Sequence, residues 1–228
     1  MIQGKTILAI IPARGGSKGI PKKNIIMMAG KPLIAWTIEE AKKSKYIDRL
    51  ILSSEDIEII KVAKEWGCEV PFVRPVDLAQ DDTPGIEPIL HAIDTLKEKY
   101  DYVVLLQATS PMRLVDDIDG CIETCVLSKS QSCVSVVEVK QHPYWMYKID
   151  TTGCLSPFIG QTNEIHRRQD LPPMYILNGA VYVSESVLIG KNRSFLTPFT
   201  KAFIMSKKRS LDIDDTVDLN ISNILMQK

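Results

Sequence analysis

The sequence is poor in the residues on which several common kinds of chemistry depend. Its 228 residues include three histidines and five cysteines, with no C-x-x-C pair among Cys68, Cys121, Cys125, Cys133 and Cys154. His142 and His166 lack a neighbouring nucleophile and acid, so no Ser-His or Cys-His triad is supported. His91 falls on an amphipathic helical stretch and reads as structural. Cys121 and Cys125 lie one helical turn apart without His or Cys partners nearby, which argues against zinc. Reduced, mostly buried thiols in a cytoplasmic chain are the expectation. Neither sign of charge is in excess, since 28 Lys and Arg face 28 Asp and Glu. A general polyanion binder is therefore disfavoured, and no nucleic-acid partner is expected. There is no long apolar run either. "MIQGKTILAIIPARGG" places Lys5 before a short stretch that ends at Pro12, so neither a secretion signal nor a membrane span is expected. No internal repeat or low-complexity tract interrupts the chain, and one domain over residues 1–228 follows.

What is present has a regular rhythm. Lys5 to Ile11 reads as a buried strand, and "KPLIAWTIEEAKKS" carries a helical apolar stripe through Leu33, Ile34, Trp36, Ile38 and Ala41. A strand near Arg49 to Ser53, a helix over "DIEIIKVAKEWG" and another over "GIEPILHAIDTLKEKY" follow. "DYVVLLQATSP" is an apolar run stopped by Pro111, and "DDIDGCIETCVLS" is again helical. Such alternation predicts an α/β fold with a mainly parallel, Rossmann-like sheet covered on both faces. After Ser132 the rhythm changes. "SCVSVVEVK", "YILNGAVYVS" and "KAFIMS" read as strands and "DTVDLNISNILMQ" as a final helix, but Gln141 to Pro173 has no long periodic stripe and reads as an insertion.

The most unusual segment is "IIPARGGSKGIPKKN", where the first strand gives way to three glycines, two prolines and four basic side chains. Ligands of parallel sheets gather beyond the carboxyl ends of strands. Gly15, Gly16 and Gly19 would let backbone N–H groups approach an anion, with Arg14, Lys18, Lys22 and Lys23 supplying charge. The competing reading is a glycine turn with solvated lysines. G-x-G-x-x-G and G-x-x-x-x-G-K-[ST] are both missing here, so the dehydrogenase and P-loop readings lose support.

The loop resembles the nucleotide loop of the acylneuraminate cytidylyltransferases, or CMP-sialic acid synthetases. The likeness continues in order through "RPVDLAQDDT", "LLQATSPMR", "RRQDLPPMYILNGAVYV" and "IMSKKRSLDIDDTVDL". It implies a nucleotidyltransferase acting on CTP, with Arg14, Ser17, Lys18, Lys23 and Asn24 at the nucleotide. Arg74 matches a nucleotide-contacting arginine, although alone it reads as a surface residue held by Asp77. Thr83 would offer a hydroxyl near the cytidine, but Pro84 and Gly85 depart from the family pattern there. Gln107, Arg168 and Tyr182 are implied for the sugar acid. Arg168 suits a carboxylate through its fork of donors, though it also reads as a surface residue, and Arg113 reads as structural. Ile176 stands where some sialic acid synthetases carry another arginine. Phe195 and Leu196 match a segment that reaches into the partner's sugar pocket, and ordinary core packing is an equal reading of them.

"LDIDD" carries the metal expectation. In extended chain Asp212 and Asp214 face one side, suiting Mg²⁺, while Asp215 reads as a helix N-cap and Asp218 as a first-turn residue. By resemblance the pair matches the family's metal site, Asp214 joins Lys23 and Arg14 as catalytic, and a homodimer formed mainly through residues 141–175 and Phe195 is implied. The resulting expectation is CMP transfer from CTP to a nine-carbon 2-keto sugar acid of the sialic or legionaminic type, without an evident general base. Activation of pseudaminate or keto-deoxyoctulosonate, and a non-catalytic CTP- or CMP-sugar-binding sensor, are the alternatives.

Overall fold

The computed structural model describes residues 1–160 and 167–226. His166 lies outside the described residues. The central element is β1 (Ile7–Pro12), an unbroken apolar run that is buried almost to its end. It is followed by a small ribbon, β2 (Met27–Met28) and β3 (Lys31–Pro32), and by α1 (Leu33–Lys42). β4 (Arg49–Ser53) then leads into α2 (Ile57–Glu65), whose first turn is capped by Asp56 accepting from the amides of Glu58 and Ile59 at 2.8 and 3.0 Å. α3 (Glu87–Thr95) stops earlier than its sequence pattern suggests, because Leu96 turns to extended backbone. β5 (Tyr102–Leu106) and α4 (Val115–Leu127) complete this half.

The second half holds β6 (Ser132–Glu138), a hairpin of β7 (Tyr147–Ile149) and β8 (Leu155–Pro157), the long β9 (Tyr175–Glu185), α5 (Ser186–Asn192), β10 (Lys201–Ile204) and α6 (Thr216–Met226). Six strands form one sheet in the order β10-β6-β9-β5-β1-β4. β1 is parallel to both neighbours, and β10 is parallel to β6. β9 runs antiparallel to β5 and β6, so the sheet is mostly parallel with one reversed strand. Central strands buried on both faces explain the continuous apolar runs of β1 and β5.

Register then positions the functional end. Leu106 pairs with Val181, so the first half of β9 continues past the carboxyl end of β5 and sets Asn178 to Ala180 beside Gln107. Arg113 locks this junction. It is 1 % exposed, donates to the carbonyls of Ala180 (2.7 Å) and Gln107 (3.2 Å), and donates to Thr37 Oγ1 (2.7 Å). Its structural reading holds, and burial lowers its guanidinium to about 10. No described helix is long and apolar enough to cross a membrane.

Candidate active site

A cleft of about 840 Å³ opens beyond the carboxyl ends of β1 and β5. Its lining includes Arg14, Ser17, Lys18, Lys23 and Asn24 from the glycine loop, Arg74 and Thr83 from the segment before α3, Asp214 beside the loop, and Gln107, Tyr182 and Phe195. Widely separated parts of the chain therefore meet in one place. Arg168 is not among them. It is exposed and donates to the carbonyl of Val139 at 3.3 Å, away from this cleft in the single chain.

The loop owes its shape to a few anchors. Asn24 is buried and donates to the carbonyl of Arg14 at 2.9 Å, tying the two ends together. Gly15 donates its N–H to Glu55 Oε1 (2.7 Å), and the other Glu55 oxygen accepts from Arg74 (2.6 Å). Arg74 is thus a buried floor residue held by Glu55, with Ala13 O a further acceptor, and the reading of a surface arginine held by Asp77 is corrected. At Gly19 a Cβ would collide with the backbone carbonyl oxygen of Asp214, so only glycine lets the loop lie this close to the metal candidates. Lys22, at φ 53°, turns away to an exposed pair with Glu58. Three of the four basic side chains therefore face the cleft.

These three are paired with carboxylates. Lys23 Nζ lies 3.1 Å from Asp214, while Arg14 and Lys18 each lie 2.9 Å from Asp81. The sequence reading missed Asp81. Thr83, expected near the cytidine, donates to the carbonyl of Asp77 at 3.1 Å and so also braces its own loop.

Tyr182 and Phe195 meet edge to face with ring centroids 5.8 Å apart. Phe195 belongs to its own chain's core and lines its own cleft, so the core-packing reading describes it, while Leu196 is largely exposed. A smaller cavity of about 320 Å³ adjoins the cleft through Gln107 and Tyr182, and is lined also by Asn178, Ser210 and Asp212. Gly179, at φ 73°, brings β9 so close that a Cβ would lie 2.6 Å from Gln107 Oε1.

Asp212 and Asp214 flank Ile213, whose amide donates to the carbonyl of Thr109 at 2.9 Å. Asp214 faces the cleft and Asp212 the adjoining cavity. Asp212 Oδ1 is buried without a hydrogen-bond partner among the described residues. Burial raises its carboxyl above the ordinary range, with Asp214 adding to the effect and Thr109 and Lys23 opposing it. A hard divalent cation would satisfy this orphaned oxygen and relieve the repulsion, so the residues fit Mg²⁺. No group of three or more His, Cys, Asp or Glu that could hold a metal ion exists among the described residues. Asp215 caps α6, accepting from the amides of Val217 and Asp218, and Asp218 accepts in return from those of Asp214 and Asp215.

This architecture is that of known nucleotidyltransferases. A CMP-2-keto-3-deoxy-manno-octonic acid synthetase complexed with CTP superposes with a TM-score of 0.74 at 15 % identity, covering 97 % of this chain and 98 % of that one. A 4-diphosphocytidyl-2C-methyl-D-erythritol synthase from Anaerococcus prevotii gives 0.69 at 16 %, over 99 % and 100 %. At the level of family, the cytidylyltransferase model matches residues 8–206, and the chain belongs to the cytidylyltransferase family. Relatives include a CMP-N,N'-diacetyllegionaminic acid synthase from Legionella pneumophila, 36 % identical over 97 % of this chain and 96 % of its own length. A pseudaminic acid cytidylyltransferase from Campylobacter jejuni is 34 % identical over 96 % and 95 %. An N-acylneuraminate cytidylyltransferase from Escherichia coli is 33 % identical over 97 % of this chain and 52 % of its own.

Proposed function

We propose that the chain transfers CMP from CTP to the anomeric hydroxyl of a nine-carbon 2-keto sugar acid, releasing pyrophosphate. The observation that carries this reading is the convergence of Arg14, Lys18, Lys23 and Asp214 with Gln107, Tyr182 and Phe195 on one cleft. The activities named for the Legionella, Campylobacter and Escherichia relatives supply the substrate class.

In this mechanism the triphosphate lies along the glycine loop, where the exposed Lys18 and the half-buried Arg14 and Lys23 neutralise it. Gln107 and Tyr182 orient the sugar acid at the junction of the two cavities. The hydroxyl oxygen attacks the α-phosphorus, the bond to the bridging oxygen breaks, and the electron pair leaves with pyrophosphate. The hydroxyl proton passes to solvent, since no side chain among the described residues is placed as an evident base. Asp212 and Asp214 would hold Mg²⁺, which when bound supplies positive charge to the triphosphate. Catalysis by this chain is otherwise positioning and charge stabilisation.

The reading includes a homodimer. β7 and β8 pair only with each other among the described residues, and an isolated two-stranded ribbon is marginal in water. Tyr147, Ile149, Leu155 and Phe158 on and beside it are all exposed. A second copy covering the arm would bury this surface and return Arg168 to a sugar site. Residues 1–228 then act as one cytidylyltransferase domain in the cytoplasm, where CTP is available and free thiols persist.

Pyrophosphate release with CTP and Mg²⁺ tests the reading, using N-acetylneuraminate, di-N-acetyllegionaminate, pseudaminate and keto-deoxyoctulosonate. Release with one nonulosonate, reduced at least about 100-fold by Asp212→Ala or Asp214→Ala, is expected. CTP binding without release for any sugar would overturn it in favour of a sensor.

A further inference from the structure

The two ion pairs of Asp81 place a carboxylate where the proposed function puts phosphate oxygens. One Asp81 oxygen lies 2.9 Å from an Arg14 Nη and the other 2.9 Å from Lys18 Nζ, so a single anion bridges the two cations across the cleft mouth. The arrangement has backbone support. Arg14 also donates to the carbonyl of Gln80 (3.0 Å), and the loop is braced by Gln80 Nε2 on the Val76 carbonyl (2.9 Å) and Thr83 Oγ1 on that of Asp77 (3.1 Å). Lys18, with Arg14 assisting, holds the Asp81 carboxyl below the ordinary range, so the group is anionic at neutral pH.

We propose that Asp81 is an internal competitor for the triphosphate site, a specificity-determining residue that weakens capture of CTP and hastens release of pyrophosphate. This inference rests on the proposed placement of the triphosphate against Arg14 and Lys18. Any ligand engaging both cations must displace the carboxylate. CTP and pyrophosphate do so, whereas CMP, with one phosphate directed at the reacting end, leaves the bridge in place. When the α–β bond is broken, Asp81 retakes its two partners as pyrophosphate departs. Its exposed position keeps the competition modest and sensitive to salt.

The test is calorimetric titration of wild-type chain and Asp81→Asn with CTP, inorganic pyrophosphate and CMP, repeated at low and high salt. Asn preserves the shape and removes the charge. The expected result is a two- to tenfold tighter Kd for CTP and pyrophosphate in Asp81→Asn, an unchanged Kd for CMP, and a smaller difference at high salt. In turnover, pyrophosphate becomes a correspondingly stronger inhibitor. Weaker or unchanged CTP and pyrophosphate binding would overturn the inference, making Asp81 a brace for Arg14 or a bystander. An equal change for CMP would overturn it too, because the effect would then lie in the loop's shape. Failure of both proteins to bind CTP would instead refute the proposed function, so the two failures are distinguishable.

Discussion

The glycine loop and the 141–175 arm end as opposite kinds of structure. The loop is crossed by tethers from distant parts of its own chain. Asn24 holds Arg14, Glu55 holds Gly15, Asp214 pairs with Lys23, and Asp81 bridges Arg14 and Lys18. The arm has its own local turn, in which Asp150 accepts from the amides of Thr152 and Cys154, but its apolar side chains point outward, with Ile149 72 % and Phe158 57 % exposed. Among the described residues, the loop is thus held within one chain while the apolar side chains of the arm stay exposed. On the proposed homodimer, that difference would give the two substrates different requirements, CTP one subunit and the sugar acid two.

Substituting charge into the arm offers the largest break in that contrast. Ile149→Glu with Phe158→Glu should leave a folded monomer that binds CTP with unchanged affinity while losing about 100-fold or more of its turnover. Light scattering and CTP titration on the same sample check this. A dimer that persists, or CTP binding that falls with it, would show that the two ends are not separable in this way.

The same contrast explains what could be read from sequence. Apolar runs and helical stripes announced β1, β4, β5, α1, α2 and α4, because period and burial act locally. Asp215 was legible as a cap because its partners are two and three residues away. Direction was not legible. β9 reads as a strand, yet nothing in its pattern reveals that it runs antiparallel between β5 and β6. Nor was Asp81, whose cations lie 63 and 67 positions earlier in the chain. The burial of Arg113 and Arg74 runs against the usual exposure of arginine and follows from acceptors that only the fold assembles. Arg168 was assigned by resemblance, and a single chain leaves it at the surface.

Within the loop, two neighbouring glycines sharpen the comparison at smaller scale. A Cβ at Gly19 meets the Asp214 carbonyl, while one at Gly16 meets nothing within 4 Å. Gly19→Ala should cost about 1–3 kcal/mol of stability and roughly tenfold or more in kcat/KM, because backbone cannot swing aside as a flexible side chain can. Gly16→Ala should fall within about 0.5 kcal/mol of the native chain. Urea unfolding and steady-state kinetics on both variants measure the difference, and equal effects would deny the close approach.

The smallest effect concerns Asp212 in metal-free buffer. Its folded-state carboxyl is raised by burial, so ionisation there opposes folding. As pH rises from the ordinary aspartate value through the raised one, the folded chain holds the proton longer than the unfolded chain does, and stability declines across that window. Asp212→Asn removes the charge and keeps the shape. In metal-free buffer at neutral pH the variant should melt about 2–4 °C higher than the native chain, on the order of 1 kcal/mol for a chain of this size. The gain should shrink as pH falls and Asp212 takes up its proton, and should vanish on adding Mg²⁺ if the cation then stabilises the native pair. Thermal melts over pH, with and without Mg²⁺, check both signs. A variant that melts lower at neutral pH in metal-free buffer would mean that the orphaned oxygen has a partner in solution, and that this end of the cleft is satisfied even at Asp212.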